Sequence, residues 1–259
     1  KNTPVAQLDR RPVQDGGLEV QIETLCATLI SNPKGYRTLE RTFEGLYRVA
    51  NLARDRLSLE AWQALSKFRP GDTLVKSLAG SKPLALLDLL DEGLAAIAAF
   101  NGLMHENMTR NFGWSFLDMG RRMERAYNLS EAIQTLFVPL PDQEEEGSSL
   151  LLLLELADSF ITYRSRYRLD PILALVLDLL LLDEANPRSL AYQLAAISNH
   201  MATLPDAKHG VSLSEDRRLI LAAQTSIRLA DIESIARDEN GAALQRLMDE
   251  QLALLPELS

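Results

Sequence analysis

Hydrophobic residues recur at intervals of three and four along most of this 259-residue chain, which is the spacing of one face of an α-helix. No stretch of useful length alternates hydrophobic and polar residues as a half-buried strand does. Leucine and alanine are abundant, whereas glycine, proline and β-branched residues are sparse, and this balance favours helix. We therefore predict an all-α fold of about nine helices of ordinary globular length.

Capping residues and prolines set the predicted helix boundaries. Ser58 precedes a helix and has the side chain of a good N-cap, and Asp170 and Asn186 each stand before a proline that can occupy the first helical position. The acidic run at 142–146 is predicted to be a solvated loop. Predicted helices include Tyr36–Arg56, Leu59–Phe68, Pro83–Met108, Asn111–Phe137, one from Ser148 or Ser149 to Tyr167, Ile172–Leu182, Arg188–Leu204, one from Ser212 or Ser214 to Arg237, and Gly241–Leu255.

The predicted helix Asn111–Phe137 has two hydrophobic seams. At 100° per residue, one broad face carries Phe112, Phe116, Met119, Met123, Ala126, Tyr127, Ile133 and Phe137. The second seam carries Trp114, Leu129, Ala132 and Leu136, and it shares its side with charged residues. A helix with two such seams packs on both sides, so we expect some of its charges to be half-buried. Half-buried charges require partners, which predicts either a structural ion-pair lock or a site for an anionic ligand.

The charges of this helix form the first candidate site. Asp118 precedes Arg121 and Arg122 by three and four positions, within reach on one helical face. In a structural interpretation, Glu124 and Arg125 tie the helix to its neighbours, because buried ion pairs often fix packing. In a functional interpretation, Arg121 or Arg125 holds a carboxylate or phosphate and Glu124 positions the arginine, since a guanidinium offers planar, bidentate donors. The sequence leaves both interpretations open.

A second candidate cluster contains Tyr163, Arg164, Arg166 and Tyr167. The two tyrosines are four positions apart and share a helical face, and the arginines flank them. Aromatic rings beside guanidinium groups suit a planar or anionic ligand. Cations that favour the C-terminal end of a helix dipole are the simpler explanation.

A third candidate cluster lies at a turn into a helix and contains Asp183, Asn186 and Arg188. Asn186 is most simply a cap, and the carboxylate of Asp183 can accept from turn amides. A functional interpretation has Arg188 meeting an anion at the helix N-terminus.

Composition narrows the function classes. A formal net charge of −9 argues against non-specific nucleic-acid binding. The single cysteine, Cys26, excludes an intramolecular disulfide and fits a reducing compartment, and no hydrophobic run is long enough to span a bilayer. We therefore predict a cytoplasmic protein that does not bind membranes. Three histidines without Glu-x-x-His spacing give no metal site, and no phosphate-binding loop, dinucleotide turn or nucleophile elbow is present.

Several motifs resemble one bacterial family. The run GWSFLDMGRRMERA at 113–126 resembles the signature helix of the alpha-E domain, an all-helical family named for a Glu-Arg pair, here Glu124–Arg125. ADSFITYRSRY at 157–167, LLLLDEANPRSLAYQL at 179–194 and NLARDRLSLEAWQAL at 51–65 resemble the same family. The resemblance covers nearly the whole chain, without the family's opening helix and its aromatic-basic tail, so the chain resembles a piece of a longer protein.

The resemblance implies an architecture and a partner. It implies two related helical bundles packed side by side, which we place at 18–108 and 109–259, with 1–17 as a linker remnant. The family is often fused or adjacent to a circularly permuted ATP-grasp ligase, so the implied function is an accessory domain of an amide- or peptide-bond ligase system. ATP and Mg²⁺ are then expected only in the ligase, and this chain holds no cofactor. Two alternatives stay open: an independent enzyme with Glu124 as acid or base beside an arginine anion clamp, and a purely structural scaffold.

Overall fold

Helices make up every regular element of the described structure. The computed structural model describes residues 25, 26, 28–30, 38–69, 83–138, 140–205 and 213–258; the predicted linker at 1–17 lies outside them. No strand occurs among these residues, and nine of their α-helices are eight residues or longer, so the all-α prediction is confirmed. The chain divides into two compact units, Lys1–Thr109 and Arg110–Ser259.

The described part of the first unit contains α1 (Leu39–Leu52), α2 (Leu59–Ser66) and α3 (Pro83–Asn107), with a 3₁₀ turn at Arg54–Arg56. The described residues at 25, 26 and 28–30 are helical as well. Ser58 caps α2 as predicted, because its hydroxyl accepts from the amide of Ala61 at 3.2 Å. The core of this unit includes Phe43 of α1 and Phe68, whose ring centroids lie 4.5 Å apart. Helices α2 and α3 pack against each other around it.

The second unit contains eight α-helices within its described residues. They are α4 (Phe112–Phe137), α5 (Gln143–Leu156), α6 (Phe160–Tyr167), α7 (Leu173–Leu177), α8 (Leu190–Thr203), α9 (Glu215–Arg228), α10 (Ile232–Ala236) and α11 (Ala242–Glu257). Helix α7 continues as a π-helical turn, Asp178–Leu182. Helix α4 packs against α8 and α11, and α9 packs against the same two helices. Their shared core includes Ile133, Leu194, Ile227 and Met248, all of which are fully or almost fully buried.

Helix α4 has the predicted bounds. Asn111 is its N-cap, and the Asn111 side-chain oxygen accepts from the amide of Trp114 at 3.3 Å. The predicted broad face is buried in the C-terminal half of the helix, where it includes Ala126 and Phe137. At the start of the helix, Phe112 and Phe116 of this face leave 53% and 61% of their surface exposed, whereas Trp114 of the second seam is buried as predicted.

The helix predicted from Ser148 or Ser149 to Tyr167 is two helices. Helix α5 begins five or six residues earlier, at Gln143, because the Asp142 carboxylate caps the amide of Glu145 at 3.0 Å. The acidic run predicted as a loop is therefore the first turn of α5, where carboxylates favour the positive end of the helix dipole. The helix then breaks before α6 at Asp158, whose φ of 48° lies in the left-handed region.

Two predicted caps are wrong. Helix α7 begins at Leu173 without a side-chain cap, and the backbone oxygen of Asp170 accepts from the hydroxyl of Tyr163 at 3.2 Å instead. Helix α8 begins at Leu190, and its cap is Ser189, whose hydroxyl accepts from the amide of Tyr192 at 3.1 Å. A serine immediately before the first turn reaches the free amides, whereas Asn186 lies too early in the chain to do so.

The helix predicted from Ser212 or Ser214 to Arg237 is also divided. Helix α9 follows Ser214 and ends at Arg228, and α10 begins after a new cap. That cap is Asp231, whose carboxylate accepts from the amide of Ser234 at 3.1 Å. An internal aspartate that can cap a helix is therefore the residue that divides this segment.

Candidate anion-binding site

A buried carboxylate on α4 gathers three donors. Asp118 is 4% exposed and accepts from Arg121, from Nε of Arg122 at 3.3 Å, and from Nε2 of His200 at 2.8 Å. Arg121 and Arg122 lie on α4 itself, as the spacing of the sequence predicts, and His200 lies on α8. The network therefore connects α4 to α8. In the structural interpretation of the sequence, Glu124 and Arg125 had this role.

Arg122 extends this network to the start of α8. Its Nη1 donates to the side-chain oxygen of Gln193 at 3.2 Å, and Gln193 Nε2 donates to the backbone oxygen of Pro187 at 2.6 Å. The guanidinium of Arg122 also lies 5.1 Å from the centroid of the Tyr192 ring. Gln193 is fully buried, so its amide makes use of hydrogen bonds that water cannot supply.

The environment of Asp118 favours its ionised form. Burial by itself raises the pKa of this carboxyl, but hydrogen bonds from Arg121 and His200 and the charge of Arg122 outweigh burial and lower the pKa from 3.8 to about 2. Asp118 is therefore an anion at neutral pH with its donors in place. Its carboxylate is already engaged by Arg121, Arg122 and His200.

The Glu124–Arg125 pair does not form the predicted ion-pair lock. Glu124 is exposed, and neither residue makes a hydrogen bond or ion pair with any described residue. Helical geometry explains the difference, because consecutive residues point about 100° apart. Glu124 consequently faces away from the interior, while Arg125 is half-buried on the side of the second seam.

Arg125 lines a cavity of about 270 Å³ in the second unit. Its other polar lining residues are Asn128 of α4 and Arg188 of the turn before α8. The remaining lining is hydrophobic and comes from α4, from α5 and from the residue that follows α5: Leu129, Ala132, Leu153, Leu156 and Ala157. The cavity therefore joins two guanidinium groups to an aliphatic wall.

Arg188 reaches the cavity from a turn that is held by side chains. The side-chain oxygen of Asn186 accepts from the Arg188 amide at 3.1 Å, and Asn186 Nδ2 donates to the backbone oxygen of Leu179 at 3.2 Å. The Arg188 guanidinium donates to the Asp158 carboxylate at 2.6 Å. The Asp158 side chain is 75% exposed, and an exposed pair of this kind contributes only about 0–1 kcal/mol. An incoming anion can thus compete for Arg188 at low cost.

The electrostatics of Arg125 favour an anion in this cavity. Burial lowers the pKa of Arg125 from its usual value, and the positive charges of Arg188, Arg121 and Arg122 lower it further, against the opposing charge of Asp118. A half-buried guanidinium without a counter-ion is held in an unfavourable environment. A bound carboxylate or phosphate would supply the missing negative charge.

The tyrosine–arginine cluster has structural roles. The ring of buried Tyr163 lies 4.9 Å from the ring of Tyr167, and the Tyr167 hydroxyl donates to Asp178 at 2.8 Å. Burial and this carboxylate raise the pKa of Tyr167 to about 12. The arginine Arg166 is paired with Asp183. None of these residues lines the cavity.

Two remaining residues of the predicted clusters have local contacts. Arg164 is exposed and lies 5.8 Å from the centroid of the Phe160 ring. Asp183 accepts from the amide of Ala185 at 2.9 Å, which is the turn-stabilising contact predicted for it. Both contacts belong to the folding of α6 and of the turn that follows the π-helical turn.

Sequence reasoning missed His200 and Gln193, and it expected Asp158 to pair with the cations of the tyrosine–arginine cluster, not with Arg188. A signal for the first two was present, because Gln193 and His200 are seven positions apart and therefore share one face of α8. Polar residues repeated on an otherwise apolar face indicate buried partners. Asp158 had no comparable signal, since its pairing with Arg188 depends on the break between α5 and α6.

Two classes of site are absent from the described part of the chain. No group of three or more histidine, cysteine, aspartate or glutamate side chains there is placed to hold a metal ion. In the same residues, no helix has both the length and the hydrophobicity needed to cross a membrane.

The sequence of this chain is similar to one protein family and to three uncharacterized mycobacterial proteins. Residues 5–259 match the model of a family described as a predicted alpha-helical domain with a conserved ER motif. An uncharacterized protein of Mycobacterium bovis and uncharacterized proteins of two Mycobacterium tuberculosis strains are each 27% identical to this chain over 232 residues. The match covers 85% of this chain and 25% of each relative, so the chain spans about a quarter of their length. No solved structure matches the chain at a significant level.

Proposed function

Because this chain belongs to the Alpha-E family, we propose that it is an accessory helical domain of an ATP-grasp amide- or peptide-ligase system, and that it binds a carboxylate-bearing substrate. The observation that carries the substrate-binding part is the position of Arg125. Its half-buried guanidinium has no counter-ion among the described residues and lines a cavity together with Arg188. Arginine donors in a partly dehydrated site bind carboxylates in a bidentate manner.

The role within a ligase system rests on the family resemblance and on the length of the relatives. In the mycobacterial proteins, the matched region makes up about a quarter of the polypeptide, so it is joined there to much additional protein. A ligase joins a carboxylate to an amine with ATP, and a helical domain that holds the carboxylate raises its local concentration. ATP and Mg²⁺ bind to the ligase in this proposal, and Arg125 and Arg188 bind only the substrate.

The competing enzyme hypothesis lacks a supporting contact. Glu124 would have to lie beside the bound substrate to serve as its acid or base, yet it is exposed and is not among the cavity-lining residues. The scaffold hypothesis has one observation in its favour, the closed network around Asp118. That network and the Arg125 cavity are different parts of α4, so a structural role for Asp118 is compatible with ligand binding at Arg125.

The binding part is tested by calorimetric titration with N-acetylglycine and with its uncharged amide. We expect the carboxylate to bind and the amide to bind at least tenfold more weakly, because only the carboxylate neutralises Arg125. Arg125→Met should abolish the difference between the two probes. Glu124→Gln is the matched control on the neighbouring residue and should bind as the wild-type protein does. Equal affinity for acid and amide would overturn the binding part.

The partner part is tested by co-purification with an ATP-grasp ligase encoded with the domain. We expect a complex at micromolar concentrations, and we expect Arg125→Met to retain it, because the cavity binds substrate in this proposal. Absence of a complex, both with and without ATP and Mg²⁺, would contradict the accessory role and leave the binding result unaffected.

A further inference from the structure

The lining of the Arg125 cavity specifies more than a negative charge. We propose that its ligand is a carboxylate carrying an adjacent aliphatic side chain, of the size of one leucine residue, with an uncharged acylated nitrogen. This inference rests on the proposed function, since it names the chemistry of the substrate held at the same site. Three features of the cavity carry it: its charge balance, its aliphatic wall and its volume.

The charge balance of the cavity favours a single negative charge. Arg188 already donates to Asp158, whereas Arg125 has no ion-pair partner among the described residues. Arg188, Asp158 and Arg125 together therefore carry one excess positive charge, which a single carboxylate would neutralise. Two guanidinium groups at the same cavity also repel a free ammonium, which disfavours an unmodified amino acid and favours an acylated nitrogen.

The rest of the cavity lining, apart from Asn128, is aliphatic. Leu129 and Leu153 are buried, and Leu156 leaves 64% of its surface exposed although it lines the cavity. The described lining contains no aromatic side chain and no acidic side chain. A ligand that placed only polar groups against this wall would lose their hydration without gaining hydrogen bonds. An aliphatic group removes hydrophobic surface of the wall and of the ligand from water.

The volume limits the ligand to a small group. At about 270 Å³, the cavity is slightly below the range of roughly 300–1,000 Å³ that is typical of small-molecule sites. Asn128 supplies one more polar lining side chain, with an amide that can accept and donate. A carboxylate, one aliphatic side chain and one acylamide bond use each of these features. The acyl nitrogen can belong to a small acylated amino acid or to the C-terminal residue of a peptide.

The experiment compares four probes on the whole chain by calorimetric titration: N-acetylleucine, N-acetylglycine, leucine and inorganic phosphate. We expect N-acetylleucine to bind about tenfold or more tightly than N-acetylglycine, since apolar groups in a fitted pocket discriminate by roughly 10- to 200-fold. Leucine and phosphate should bind more weakly than N-acetylleucine. An acetylated tripeptide that ends in leucine distinguishes the two sources: equal or tighter binding indicates a peptide C-terminus, and weaker binding indicates a small acylated amino acid.

Two variants of the wall separate this inference from the proposed function. Leu156→Ala removes part of the aliphatic wall and should weaken the binding of N-acetylleucine more than the binding of N-acetylglycine, so that the preference between them falls. Ala132→Leu should fill the cavity and reduce binding of N-acetylleucine more than binding of N-acetylglycine. Equal binding of the two acids by the wild-type protein would overturn the aliphatic inference and leave the proposed carboxylate site standing. If neither acid binds, both fall, and tighter binding of phosphate would overturn the choice of a carboxylate.

Discussion

The imidazole of His200 on α8 meets the carboxylate of Asp118 on α4 at 2.8 Å, although 82 positions separate them in the chain. The same carboxylate accepts from two arginines one turn further along α4. A single buried side chain therefore links α4 to α8, in addition to the hydrophobic core that the two helices share. Because Arg122 continues to Gln193, the contact also reaches the turn that carries Arg188.

Removing the charge of Asp118 should destabilise the second unit strongly. Asp118→Asn keeps the size of the side chain but leaves Arg121 and Arg122 without their anion, and loss of one partner from a buried pair typically costs about 3–5 kcal/mol. We expect a decrease near the lower limit, because the arginine side chains are 25% and 14% exposed. Urea unfolding followed by circular dichroism measures it.

The matched control is Glu233→Gln, which breaks the exposed pair with Arg237 on the surface of the same unit, where both side chains are 76% exposed. It should change the free energy of unfolding by no more than about 0.5 kcal/mol. Similar losses for the two variants would show that burial gives the Asp118 network no special weight.

The Asp118 network should also make stability depend on acid pH. The pKa of the Asp118 carboxyl is lowered from 3.8 to about 2 in the folded protein. The contribution of this carboxyl to the free energy of unfolding is therefore complete above pH 4 and is lost as the pH falls toward 2. Chemical unfolding at intervals between pH 5 and pH 2 should show the wild-type free energy of unfolding approaching that of Asp118→Asn. A constant difference between the two proteins across this interval would contradict the lowered pKa.

The Glu124–Arg125 motif should be dispensable for folding. Glu124 is exposed, so Glu124→Gln should change the free energy of unfolding by no more than about 0.5 kcal/mol. Arg125→Met removes a half-buried cation that has no ion-pair partner in the described part of the chain, and thermal melting without ligand should show equal or higher stability than the wild type. A loss of about 3 kcal/mol in either variant would instead indicate a buried ion pair.

Tyr167 should be the residue that gives the chain a late step in its alkaline titration. Burial and the carboxylate of Asp178 raise its pKa from 10.0 to about 12, so the folded state favours the neutral phenol. This contribution to stability is present below pH 10 and is lost as the pH rises through 12. Ultraviolet titration of phenolate should show a step near pH 12 that disappears in Tyr167→Phe, provided that the protein remains folded.

The sequence predicted the fold class and the position of α4 well, because both depend on local signals. Hydrophobic spacing marks helices, and Asn111 and Ser58 cap them through contacts only three residues long. The predicted continuation through Asp158 failed for the complementary reason. No proline or glycine marks that break, and its left-handed residue is an aspartate.

The candidate site could be predicted only in part. Spacing on one helix is enough to bring Arg121 and Arg122 to Asp118, so these contacts were foreseeable. The pairing of Arg188 with Asp158 spans 30 positions and depends on three irregular segments, which periodicity cannot place. The ion-pair interpretation of Glu124 and Arg125 was one of two that the sequence left open, and neither residue has an ion pair among the described residues. A helix turns these adjacent residues to different sides.

The π-helical turn at Asp178–Leu182 makes the direction of Arg188 depend on the number of residues that precede it. The amide of Asp183 donates to the backbone oxygen of Asp178, five residues earlier. In an α-helix the amide would donate to the residue four positions earlier. One residue is thereby inserted before the turn that carries Arg188, and deleting it would rotate the following backbone by about 100°. A homologous chain with one residue fewer there could retain every motif letter and still direct Arg188 away from the cavity. Alignment of this segment therefore has to be judged by its residue count as well as by its motif.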